Sequence, residues 1–150
     1  MTEVRFYHLT ATTLESALPV MLERTLGRGQ RAVVQCGSTA RVEALANHLW
    51  AYDEAGFLPH GTARDGRPEA QPIWLTAEDE PPPNQAQVLF LADGATSARL
   101  ADYALCAVLF DGRDEAVLSE SRELWKRLKT AGHDMSYWQQ DERGAWGQKA

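Results

Sequence analysis

At 150 residues, with 44% apolar and 24% charged side chains, the chain can bury one sizeable core, which excludes a disordered or fibrous protein. A net charge of −6 argues against direct binding of nucleic acid, whose phosphates are held by Lys and Arg displacing counterions. No apolar run nears the ~20 residues of a membrane helix, and Met1-Thr2-Glu3-Val4-Arg5 lacks the basic-then-apolar order of a signal peptide, so a cytoplasmic protein is expected.

In chain order, Val4–Leu9 is an apolar and aromatic run of strand length. Thr12 or Thr13 then caps a helix whose Leu14, Leu18, Met21, Leu22 and Leu26 recur at helical spacing. Pro19 must either be tolerated there or kink it. Arg31–Cys36 reads as a buried strand, and Ser38 caps a second helix with Val42, Leu45, Ala46 and Leu49 on its apolar stripe. Residues 51–71 are expected as a loop, Pro72–Thr76 as a strand, and the acidic, proline-rich 77–84 as a surface connection. Val88–Ala92 and Tyr103–Phe110 are further apolar strands, with a short turn or helix between them. Asp111 or Asp114 opens a long helix over 113–131, closed by Ala131-Gly132. Asp134–Gln140 is the last strand, and 141–150 a polar tail apart from Trp146. The alternation predicts a single α/β domain over 1–150, ordered over about 4–140, with a mostly parallel sheet covered by helices on both faces.

A search for chemistry returns little. Gly27-Arg28-Gly29-Gln30-Arg31-Ala32 fits the dinucleotide pattern GxGxxA, but it ends a helix and leads into a strand, the reverse of the context that pattern needs. It reads as a helix cap and turn. His8, His48, His60 and His133 are scattered singly, and Asp111, Asp114 and Glu115 fit the start of a helix as capping groups. Cys36 and Cys106 sit in apolar runs as small buried residues. No cofactor, metal or catalytic set is expected.

Two segments suggest a binding surface. The first is Leu49-Trp50 with Phe57-Leu58-Pro59-His60 beyond it: aromatics that either staple the core or line a pocket. The second is the final helix, where Arg122, Lys126 and Lys129 fall on one face beside Trp125, with Arg127 one step round. That face is either a solvated one balanced by Glu120 and Glu123 or a seat for an acidic peptide with an apolar end.

These residues also carry a resemblance. Phe6-Tyr7-His8-Leu9, Leu49-Trp50, Phe57-Leu58-Pro59-His60-Gly61, Pro72-Ile73, Trp125-Lys126, Ala131-Gly132-His133 and Tyr137-Trp138-Gln139-Gln140, in that order, resemble the chi subunit of bacterial DNA polymerase III. The resemblance implies a three-layer, Rossmann-like fold with no activity of its own. It implies a subunit that links the clamp loader, through its psi partner or directly, to single-stranded DNA-binding protein (SSB). The link is made by holding the acidic, Phe-ended C-terminal tail of SSB. By position it implies Trp50, Phe57, Arg122, Trp125 and Lys126 as tail-binding residues: Arg122 for a carboxylate, Lys126 for further charge, the three aromatics as walls. A Rossmann-like nucleotide-binding protein or enzyme is the alternative.

Overall fold

The structure, a computed structural model, describes residues 2–51 and 58–150. The elements in order are β1 (Glu3–Leu9), α1 (Leu14–Gly27), β2 (Ala32–Gln35), α2 (Thr39–Ala51), β3 (His60–Thr62), β4 (Ile73–Thr76), β5 (Val88–Leu91), β6 (Leu105–Asp111), α3 (Glu115–Thr130), β7 (Asp134–Gln140) and β8 (Trp146–Gln148). Short 3₁₀ turns lie at Pro68–Ala70 and Leu100–Asp102. The strands form one sheet in the order β3-β4-β2-β5-β6-β1-β7-β8. β1 to β7 are parallel, and β8 closes one edge antiparallel to β7. The expected α/β class and mostly parallel sheet are therefore present.

The period of two along each strand splits the core into two clusters. Val34, Ile73, Leu75, Phe90 and Leu109 pack under α1 and α2 through Leu18, Leu22, Leu45 and Leu49. The alternate residues Val4, Phe6, Val33, Leu89, Val108 and Phe110 pack under α3 through Val117, Leu118, Leu124, Trp125 and Leu128. Central strands buried on both faces explain why their sequences are continuously apolar.

Pro19 lies inside α1. A proline there cannot donate to the carbonyl four residues earlier, Glu15, and leaves it without its helical partner. His48 Nε2 from α2 sits 2.6 Å from that carbonyl and takes the missing role. Arg41, also of α2, bridges Glu15 at 2.7 Å and Asp93 at 2.8 Å. The cost of Pro19 is thus met by a neighbouring helix, and the position of His48 is structural.

Three expectations need correction. The loop assigned to 51–71 contains β3, a three-residue edge strand held by its register with β4. The polar tail contains β8, whose Trp146 pairs opposite Gln140. The surface connection 77–84 ends on Asn84, which is fully buried. Its Nδ2 donates to the carbonyls of Ala32 at 3.0 Å and Gln71 at 2.9 Å, so a polar side chain is drawn inward by two backbone acceptors.

Candidate functional site

The candidate surface is built on α3. Asp114 caps the helix by accepting from the amides of Ala116 at 3.0 Å and Val117 at 3.3 Å. Gly132, at φ +89°, lets the chain leave the helix toward β7 where a side chain would be strained. The packed stripe Val117, Leu124 and Leu128 fixes the rotation of the helix. That rotation leaves Arg122, Lys126 and Lys129 exposed together. Lys126 is shared with Glu123 at 3.5 Å in an exposed pair of small energetic weight.

Trp125 is half-buried and held edge-on by two rings, Phe6 at 5.3 Å and Tyr137 at 5.7 Å between centroids. Tyr137 Oη in turn lies 2.8 Å from His8 Nδ1. The far side of the His8 ring rests against Gly112, where a β-carbon would collide with it. Arg122 is close enough to act electrostatically on both His8 and Tyr137. The result is an aromatic shelf of Trp125 and Tyr137 with a guanidinium at its edge. Tyr137 and His8 were not singled out for this site from sequence, where they entered as members of strands and of the resembling motifs but not as tail-binding residues.

Burial pushes the His8 pKa below that of an ordinary histidine; Arg122 lowers it further, while Asp111 and the Gly112 backbone oppose the shift. The unfolded chain then takes up a proton more readily than the folded one. This contribution to stability is whole above about pH 6.5, falls as the pH drops through that value, and is gone below the folded pKa. Urea midpoints should therefore decline as the pH is lowered through about 6.5, with a flatter slope in His8→Gln. Identical slopes in the two proteins would remove His8 from this account.

Arg122, Trp125 and Lys126 are brought together. Trp50 is not with them. It ends α2, is 59% exposed, and its ring lies 4.7 Å from that of His60. α2 packs on β3 and β4, α3 on β6 and β7, and the two helices belong to opposite core clusters. Even the nearest strands they cover, β4 and β6, are three strand spacings, about 14 Å, apart, and the helices lie on opposite faces of the sheet. Phe57 lies outside the described residues. A cleft of about 350 Å³ flanks the other side of α3, between Leu124, Arg127 and Phe110, a feature not anticipated from sequence.

Elsewhere the chemistry is quiet. The GxGxxA segment is the turn after α1, with Gly29 at φ +75°. Burial pushes the thiols of Cys36 and Cys106 up to about 12, so neither is a ready nucleophile. Among the described residues no group of three or more His, Cys, Asp or Glu could hold a metal ion, and no helix is long and apolar enough to cross a membrane.

Fold and surface together describe an α/β domain whose distinguishing feature is a basic and aromatic helix face. The family described as "DNA polymerase III chi subunit, HolC" matches residues 1–136. The chain is also 28% identical over 100 residues to the "Probable DNA polymerase III subunit chi" of Rickettsia prowazekii (strain Madrid E), a match covering 67% of this chain and 60% of that protein's length. The chain belongs to the DNA polymerase III chi subunit family.

Proposed function

We propose that the chain is a replisome adaptor that holds the acidic, Phe-ended C-terminal tail of SSB and links it to the clamp loader, through a psi subunit or directly. It acts in the cytoplasm as a single domain over 1–150, with no cofactor and no direct grip on nucleic acid. The supporting observation is the α3 face: three cations beside a half-buried Trp125, on a chain whose net charge is −6. Placement of helices over both faces of a mostly parallel sheet supports a three-layer, Rossmann-like arrangement.

Arg122 pairs with a carboxylate of the tail, and Lys126 adds to the field. Trp125 receives the terminal Phe ring, with Tyr137 extending its wall. Trp50 enters this reading as a separate aromatic contact near the end of α2, for a longer tail or a neighbouring subunit, and Phe57 is kept with it on the resemblance alone. SSB is a tetramer with several tails, so modest single contacts gain from tethering.

The test is a titration with a fluorescent peptide of the SSB tail, with and without its final Phe, at two salt concentrations. Binding should require the Phe and weaken with salt. Arg122→Ala should reduce affinity about tenfold, the loss of one charge-assisted hydrogen bond, and the reduction should be larger at low salt. Unchanged affinity in this variant would overturn the assignment of Arg122.

A further inference from the structure

The sheet is wider than the helices that cover it. On the face carrying α1 and α2, α1 packs over β2 and β6 and α2 over β3 and β4, which leaves β1, β7 and β8 with side chains facing outward. Tyr7 of β1 stands in register with Trp138 of β7, and Trp146 of β8 packs edge-on against Tyr7 at 5.1 Å. These three rings are half-exposed. Together with Arg5, with Arg24 of α1 and with Arg28, which caps the end of α1, they line a depression of about 220 Å³.

Arg5 is tied to Glu3 at 2.9 Å, whereas Arg24 and Arg28 are exposed and take part in no ion pair among the described residues. A second depression of about 420 Å³ continues from the first, sharing Met21, Arg24 and Trp146, and reaches Val20, which is 46% exposed. The two form one groove with aromatic and aliphatic walls and, at its rim, the guanidinium groups of Arg24 and Arg28, which form no ion pair among the described residues.

We propose that this groove is a second docking surface, distinct from α3, for an acidic protein segment that inserts one aromatic or large aliphatic side chain among Tyr7, Trp138 and Trp146. Three points select that occupant. The first depression is smaller than the roughly 300–1,000 Å³ of small-molecule pockets, so it suits an anchor residue better than a nucleotide. Every cation lining it is Arg, whose planar fork matches a carboxylate in two-point contact. The groove extends along the helix and strand edge, as an extended peptide requires. Because α3 occupies the opposite face, both surfaces can be filled at once, which gives a chain of this size two handles for two partners. The proposal does not rest on the reading of α3.

The test uses the intact chain and a defined probe, acetyl-Glu-Asp-Phe-Glu-Asp-amide, followed through the Trp indole N–H signals in ¹H–¹⁵N spectra and assigned with Trp138→Phe and Trp146→Phe. The Trp138 and Trp146 signals should move and saturate, and the apparent Kd should rise at least tenfold in the Arg24→Glu/Arg28→Glu protein. Both substitutions are at exposed positions, and Arg24→Gln/Arg28→Gln is the milder form should the reversal unfold the chain. Replacing the peptide's Phe by Ala should also abolish saturation. The proposal is overturned if these two signals stay still, if their movement survives the Arg substitutions, or if oligo(dT) moves them and the peptide does not. Movement of Trp125 alone would sink this proposal while leaving the α3 reading intact.

Discussion

Replacing Phe6 by alanine is expected to lower the free energy of unfolding by about 4 kcal/mol, the middle of the range for truncating a buried aromatic. Phe6 has no exposed surface. It sits on β1, between β6 and β7, and its ring meets Phe110 edge-on at 6.2 Å, Trp125 edge-on at 5.3 Å and Tyr137 in a stack at 6.5 Å. Truncation removes the transfer energy of the ring and leaves a cavity that strands hydrogen-bonded on both sides cannot collapse to fill. It also takes away one of the two rings that hold Trp125 edge-on. Urea unfolding should show a large fall in midpoint at unchanged slope. Phe6→Leu fills most of the volume, should cost about 1–1.5 kcal/mol, and keeps the fold while removing the edge-on ring contact. If Trp125 receives an apolar anchor, Phe6→Leu should weaken SSB-tail binding although residue 6 has no surface of its own. A Phe6→Ala protein with the parent's midpoint would mean that the α3 cluster is not packed as described.

That coupling of core and surface explains what could and could not be read from the chain. β2, β4, β5 and β6 were legible because a strand buried on both faces leaves an apolar run, such as Val33-Val34 or Val88–Leu91, whereas β1 and β7, less buried, were legible as runs of strand length holding aromatic pairs, Phe6-Tyr7 and Tyr137-Trp138. The three helices were legible from apolar spacing and from Thr13 and Asp114 as caps. β3 and β8 were not, because His60-Gly61-Thr62 and Trp146-Gly147-Gln148 are short, with glycine at the centre and no period to detect. They exist because neighbouring strand edges pair with them. Asn84 hid for a different reason: composition marks 77–84 as solvent-facing, and only the positions of two carbonyls show why one amide is buried.

The candidate site divides in the same way. Spacing alone places Arg122, Lys126 and Lys129 on one face, since helix geometry is local. Whether Trp50 joins them depends on strand order, and β3-β4-β2-β5-β6-β1-β7-β8 sets α2 and α3 toward opposite ends of the sheet. No local pattern carries that information. Tyr137 and His8 come together because β7 pairs with β1, a contact spanning almost the whole chain.

Gln140 is the second position where a large effect is expected. Its side chain is buried, and its Oε1 accepts from three consecutive amides, Thr10 at 3.0 Å, Ala11 at 3.0 Å and Thr12 at 3.1 Å. Its Nε2 donates to Thr12 Oγ1 at 2.7 Å, and its own carbonyl accepts from Thr10 Oγ1 at 2.9 Å. One residue at the end of β7 therefore fixes the connection that carries β1 into α1. In Gln140→Ala the three amides lose their acceptor, and at about 1 kcal/mol for each bond the expected loss is about 3 kcal/mol. The exchange of those three amides with solvent deuterium should quicken selectively, since the loop is freed while the sheet beside it stays paired. Gln140→Glu separates acceptor from mere volume: a carboxylate still accepts from all three amides and lies close to the positive end of α1, so it should retain most of the stability that alanine loses. If Glu proves no better than Ala, packing rather than acceptance holds the loop. If Ala costs less than about 1 kcal/mol, water replaces the amide oxygen and Gln140 is not the clasp that its geometry describes.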